Sequence, residues 1–371
     1  MSGTAMPAAA ATLEMMRRIE PMLGNRGPTF VAPDVVNAPM IRHWCAAIGD
    51  RNPVYVDPHR AAQSVHADII APPAMLQVWS MPGYGVPWGT DPVFEARAVL
   101  DEYGFTSVVA TNVEQNYLRP LRIGDRVRLT RVFDSLSPEK TTALGSGHFI
   151  TSRYEYADER NEPVAMMMHR SFKFRPRMEG DKRAAADGDK RVPAAGDAAP
   201  AAGRQLAQLM SGDERAIGLL DASGNFADMS PLPPTIRGRD LAVGTRLAPL
   251  EIPITRSFIV AAAIATRDYQ EVHHDPDIAR ARGSRDIFTN ILTTTGLVGR
   301  LLTDSLGPDA IIRGIGIRLG APNYPGDTLR LGGEVSSLSV EDNRCRADFI
   351  IRGRNAIGEH VSATASVELA H

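Results

Sequence analysis

Gly49–Pro58 reads GDRNPVYVDP, and Arg267–Pro276 reads RDYQEVHHDP. Asp50 and Asp268, Asp57 and Asp275, and Pro58 and Pro276 stand at one common offset, and Asp68 and Asp286 keep it further along. Agreement at these positions marks an internal repeat, so the fold question becomes one of a single unit used twice. An apolar stretch long enough for a helix follows each copy: Ala74–Met81 (AMLQVWSM) and Ile287–Leu306 (IFTNILTTTGLVGRLLTDSL). The second is apolar at a spacing that buries nearly its whole circumference, as a helix wrapped by a sheet requires.

Working outward, strand-like runs bounded by Gly and Pro come next in both halves. Asn116–Thr130 and Gly320–Gly332 each carry Pro, then Gly-Asp, then alternating residues, and Ala143–Tyr154, Ala165–Phe174, Cys345–Arg352 and Val361–Leu369 supply further strands. A helix followed by antiparallel strands, used twice, predicts an α+β fold in which each sheet covers a buried helix. Between about Met178 and Arg204, Ala, Gly, Asp, Lys and Pro replace nearly all large apolar residues. Such a segment buries too little surface to offset its ordering entropy and reads as a flexible linker. The resulting division is an N-terminal extension (1–28), a first domain (29–176), a largely flexible linker (177–232) and a second domain (233–371). Only the first half has a long piece, Pro82–Phe105, between helix and strands. Its Gly, Pro and aromatic content reads as a loop or flap, with Tyr84, Trp88 and Phe94 either lining a large apolar pocket or packing the loop itself.

A length of 371 residues exceeds one ordinary core and favours two domains. Lys plus Arg number 41 against 43 Asp plus Glu, a net charge of −2, so no global attraction draws the chain to nucleic acid or to an anionic membrane. No apolar run has spanning length, and the Ala8–Ala11 run is too short and too soon followed by charge for a secretory signal. Cys45 and Cys345 fit neither a disulfide framework nor zinc spacing, and read as core thiols of a cytoplasmic protein. Asp57 and Asp275, each before Pro, read as helix caps. Gly145–Gly147 (GSG) reads as a turn, and His148 and His169 as packing or surface residues of strands. His273, His274 and Asp275 invite a metal reading, but adjacent side chains diverge and no spaced third ligand is evident, so no metal is expected.

The repeated segments resemble the hydratase signature of MaoC-like enoyl-CoA hydratases, over about residues 29–176 and 233–371. That resemblance implies a double hotdog, two antiparallel sheets each wrapped around a central helix. It also implies a catalytic Asp268 and His273, with Gln270 standing where the family usually has Asn. In the first half Asp50 and Asn52 are kept, but Tyr55 replaces the His, and a phenol with a pKa near 10 is a poor base at neutral pH. One active site per chain is the expectation, with Asn52 and Tyr55 retained as binding residues. Addition of water to a 2-enoyl thioester needs a base for the water proton and an acid for the α-carbon. An imidazole and a carboxylate holding one water can share these roles, and the sequence does not assign them. Backbone N–H groups from Thr289 to Leu292, with Asn290 and Ile291 in that turn and Gly296 farther along, are the candidates for stabilising charge on the thioester oxygen.

MIRHWCAAIGDRNPVYVD and IIAPPAMLQVW in the first half, with FIVAAAIATRDYQEVHHDP and DIFTNILTTTGLVGR in the second, resemble the two separate subunits of actinobacterial steroid side-chain hydratases. The resemblance implies a steroid enoyl-CoA substrate, no cofactor beyond the coenzyme A of the substrate, and a downstream aldolase partner. A homodimer of the fused chain, formed by sheet pairing, is also expected. The alternatives are an (R)-specific fatty enoyl-CoA hydratase with a narrow tunnel, an acyl-CoA thioesterase on the same fold, and a non-enzymatic acyl-CoA-binding protein.

Overall fold

The computed structural model describes residues 8–142, 144–176 and 235–371. The expected linker, 177–232, lies outside the described residues. The first described element is α1 (Ala8–Ile19). After it, each half opens with a short edge strand, β1 (Phe30–Val31) or β7 (Leu250–Pro253), and a helix, α2 (Ala38–Ile48) or α6 (Arg256–Thr266).

Local sequence dictates the ends of these helices in the same way twice. The side chains of Asn37 and Thr255 accept the N–H groups of Met40 and Phe258, which would otherwise have no partner in a first helical turn. Each helix stops at a left-handed residue, Gly49 at φ 73° and Arg267 at φ 58°. Glycine adopts that conformation freely, whereas an arginine there is strained. The chain then turns through α3 (Pro53–Val56) or a 3₁₀ turn at Glu271–His273 into α4 (Pro58–Gln63) or α7 (Pro276–Ala281). Asp57 caps α4 and Asp275 caps α7, each accepting two backbone N–H groups, as expected. Asp68 and Asp286 also play one role, accepting from Ile69 N–H and Ile287 N–H at 2.7 and 2.8 Å.

The central element then differs between the halves. In the second it is α8 (Ile291–Leu306), buried at thirteen of its sixteen residues. In the first it is a 3₁₀ segment, Pro73–Ser80, also buried almost throughout. Around these run β2 (Ser107–Tyr117), β3 (Arg128–Leu136), β4 (Lys140–Thr142), β5 (Gly145–Ala157) and β6 (Pro163–Pro176) in the first half. The second half supplies β8 (Ile311–Leu319), β9 (Thr328–Glu341), β10 (Arg344–Arg354) and β11 (Glu359–Ala370). The strand orders, β1-β3-β5-β6-β2 and β7-β9-β10-β11-β8, are the same plan, with β4 beside β5 as an addition. β2 pairs antiparallel with β8 from Asn112↔Arg318 to Asn116↔Gly314, so one sheet crosses the molecule. The edge pairing expected between copies is therefore made inside one chain.

The two central elements also pack on one another. A Cβ on Gly299 would stand 3.5 Å from Ala74, and one on Gly296 only 2.7 Å from the Trp44 ring of α2. Gly296 thus gives room to the indole of the other half, which corrects the expectation that it serves the thioester.

Three readings of irregular segments are also corrected. Pro82–Phe105 is not all loop: Asp91 caps a helix, α5 (Pro92–Glu102), by accepting from Val93 and Phe94. This helix and α1 form a satellite core, with Met15, Ile19, Leu100 and Phe105 against Phe133 and Ile150. The run Asn116–Thr130 is strand, turn, strand, and Gly320–Gly332 is turn then strand; Asp125 and Asp327 hold the turns by accepting from Arg122 and Tyr324 N–H. Gly145–Gly147 opens β5 instead of forming a turn, because its backbone lies so close to β6 that a Cβ at either glycine would strike it.

Candidate active site

Asp268 follows the strained C-cap of α6, and its N–H bonds back to Ala263 at 3.0 Å. His273 ends the adjoining 3₁₀ turn, with its own N–H on Gln270 carbonyl. His273 Nε2 and Asp268 Oδ2 are 3.5 Å apart, and both side chains are about 93% shielded from solvent. His273 Nδ1 lies 2.8 Å from Phe288 carbonyl, an acceptor only, so Nδ1 carries a proton and Nε2 is the nitrogen turned to Asp268. A water about 2.8 Å from each would bridge Nε2 and the carboxylate. The ring is held further by Phe288, edge-on at 5.0 Å.

The pair opens on a cavity of about 160 Å³ lined also by Gln270, Asn290, Ile291 and Leu292. Asn290 is the N-cap of α8: its Oδ1 accepts from Thr293 N–H at 2.8 Å, and its Nδ2 donates to Thr266 at 2.8 Å. Thr289 N–H is taken by Asn323 carbonyl. The N–H groups of Ile291 and Leu292 have no protein partner among the described residues and lie in the first turn of a sixteen-residue helix, and both residues line the cavity. They are donors free to meet developing negative charge. His274 is turned away, with Nε2 on Tyr269 carbonyl at 3.2 Å.

Half of the cavity wall comes from the other domain, as expected of a half that keeps its fold while lacking the His and serves as a wall. Trp88 and Phe94 reach it, while Tyr84 stands exposed and packs edge-on to Tyr269 at 5.8 Å. Gln77, Arg97, Tyr154, His169 and Ser171 line it as well, so the wall is more polar, and the space narrower, than the wide apolar pocket expected from the aromatic loop. His169 was expected to be a packing or surface residue; it is a buried cavity residue of β6.

Asn52 and Tyr55 are not brought to this cavity. Tyr55 lines a separate space of about 30 Å³, and Asn52 is buried as the cap of α3. Asp50 accepts from Asn52 N–H at 3.0 Å, and burial pushes its pKa up to about 7. Burial likewise holds the Tyr55 phenol far above its usual range. Pro72 and Pro73 occupy the positions matching Asn290 and Ile291, so this half has neither the cap nor the first free donor.

Residues 29–167 match the FAS1-like dehydratase domain region. The chain is 49% identical over 127 residues to the 3-oxo-4,17-pregnadiene-20-carboxyl-CoA hydratase beta subunit of Mycobacterium tuberculosis, covering 95% of that protein and 34% of this chain. The chain belongs to the MaoC-like hotdog family. It is also 45% identical over 166 residues to a probable enoyl-CoA hydratase alpha subunit of Thermomonospora curvata, covering 52% of that protein and 43% of this chain. The alpha subunit of the Mycobacterium tuberculosis hydratase is 44% identical over 147 residues, 39% of this chain and 47% of that one. The chain thus spans about half the length of these alpha subunits, and this one polypeptide fuses homologues of alpha and beta subunits. In three dimensions a MaoC-like dehydratase superposes with a TM-score of 0.66 at 19% identity, covering 95% of this chain and all of the other. That likeness establishes the double hotdog architecture. Among the described residues no helix is long and apolar enough to cross a membrane.

Proposed function

We propose that this member of the family is an enoyl-CoA hydratase with one active site per chain. The observation that carries the reading is the Asp268–His273 pair at 3.5 Å, with His273 Nδ1 pinned, beside two free N–H groups of α8. In the reaction the shared water adds its oxygen to the β-carbon, and the alkene electron pair moves into the thioester as an enolate. The acceptor that takes the water's proton returns it to the α-carbon as the enolate collapses. Ile291 and Leu292 N–H stabilise the enolate oxygen. Water is the only co-reactant, and no cofactor is required.

The names of the relatives support a steroid side-chain enoyl-CoA as substrate. Drug-sized ligands occupy pockets of about 300 Å³ or more. A bulky acyl group therefore requires the loop 83–90, which carries the exposed Tyr84, to move outward from the cavity of about 160 Å³. A homodimer of the fused chain, if formed, uses surface other than the β2 and β8 edges, and an aldolase acting on the hydrated product is the expected downstream partner. Incubation with crotonyl-CoA and with a steroid enoyl-CoA tests the reading. Loss of the conjugated thioester absorbance without free CoA is expected, and release of free CoA without hydration would make the chain a thioesterase.

A further inference from the structure

The same cavity holds a second polar cluster that the hydration chemistry does not use. Arg97, on α5, donates from Nη2 to Ser171 Oγ at 3.1 Å and lies 5.2 Å from the Phe94 ring centroid. Its Nε is sealed from solvent and has no protein partner. No carboxylate pairs with this guanidinium among the described residues. The buried carboxylate nearby, Asp91, is taken by Arg131, and Asp101 holds Lys173 at 2.5 Å. Next to Arg97 in the lining, His169 is buried with Nδ1 unpartnered, and its ring lies 5.7 Å from that of Tyr154. Burial and the two neighbouring arginines lower its pKa to about 3, so the imidazole is neutral at physiological pH.

A guanidinium with no carboxylate and an unpartnered Nε, and an imidazole nitrogen with no partner, are costly to bury in a cavity wall. A ligand oxygen that accepts from the guanidinium, and from His169 Nδ1 in the tautomer that carries its proton there, removes that cost, and a ligand without one leaves it standing. We infer that Arg97, His169 and Ser171 form a subsite for an acceptor oxygen on the acyl group away from the thioester, either a ketone or a carboxylate. The inference rests on the hydratase reading for the orientation of the acyl-CoA, but not for the existence of the subsite. It gives the first half a positive role: it contributes the residues that choose the acyl group, while the second half contributes those that react.

The test uses the full chain and matched straight-chain enoyl-CoAs ending in methyl, ketone or carboxylate. The wild type is expected to favour an oxygenated end by about ten- to a hundredfold in kcat/KM, the range for a hydrogen bond to a charged donor. Arg97→Met should collapse that ratio towards one, and Arg97→Lys should restore part of it for the carboxylate. The larger of the two wild-type preferences identifies which oxygen the site serves. If Arg97→Met does not fold, the same ratio measured for His169→Phe or Ser171→Ala decides, with a smaller drop expected. A wild type that treats all three ends alike, or an Arg97→Met ratio equal to the wild type's, overturns the subsite. Calorimetric binding of the saturated analogues repeats the comparison without chemistry. Absent hydration of every substrate therefore sinks the hydratase reading, while the binding ratio still decides the subsite.

Discussion

Where the second half has His273, its Nδ1 on Phe288 carbonyl and its Nε2 facing Asp268, the first half has a buried Tyr55 beside Asp50. Where the second half begins its central helix with Asn290 and Ile291, the first has Pro72 and Pro73 and manages only a 3₁₀ segment. On the proposed mechanism two independent requirements, the imidazole facing the carboxylate and the first N–H donor for the enolate oxygen, are missing from the same half. Its cavity measures about 30 Å³ against about 160 Å³. The strand order meanwhile is unchanged, and β2 still pairs with β8. On that reading the backbone plan and the chemistry of a hotdog domain are separable: one repeat lacks the reacting groups and lines its partner's cavity.

The largest effect that tests this difference is removal of the pair. Asp268→Asn and His273→Ala should each lower kcat for hydration by about 10²–10⁴, the usual worth of positioned acid–base groups, with an unchanged thermal melt. Next comes Ile291→Pro, which gives the second half the proline of the first. Asn290 already has φ −81° and ψ 169°, which a following proline accepts, and the first helical position tolerates proline, so α8 should persist. Hydration should fall by about 10²–10³ through loss of one donor, read as kcat with circular dichroism unchanged. A smaller loss would move the enolate oxygen elsewhere.

Asp50 offers a stability test in the opposite half. Its folded pKa of about 7 lies above that of the unfolded chain, so the folded state binds the extra proton and stability falls as pH rises from about 4 to about 7. Asp50→Asn should therefore raise the melting temperature at pH 8, by a free energy on the order of 2–4 kcal/mol, and the gain should vanish towards pH 4. A gain independent of pH would assign it to packing instead. Smallest of all, Tyr55→Phe should change hydration by no more than about threefold, since its cavity is not the one holding Asp268; a loss matching His273→Ala would end the single-site account.

Much of this was legible in the sequence because the repeat fixes local structure twice over. The caps at Asp57 and Asp275, the spacing of Asp268 and His273, and the entry into α8 all follow from neighbours in the chain. Residues brought in by packing were not legible. Arg97 and His169 reach the cavity because α5 and β6 of one half close over the other, and nothing local to either residue reports that. The helix α5 did leave a signal, Asp91 followed by Pro92, the same cap recognised at Asp57 and Asp275, but the Gly and Pro content just before it masked it. Gly296 was misassigned for a similar reason, since its partner Trp44 belongs to the other domain.

Calorimetric titration of the full chain with a saturated acyl-CoA bears most directly on the claim that two folds make one site. One equivalent bound per chain, displaced by the hydrated product and lost when the cavity is blocked by Leu292→Trp, is the predicted result. Two equivalents of equal affinity, or binding indifferent to that substitution, would contradict it.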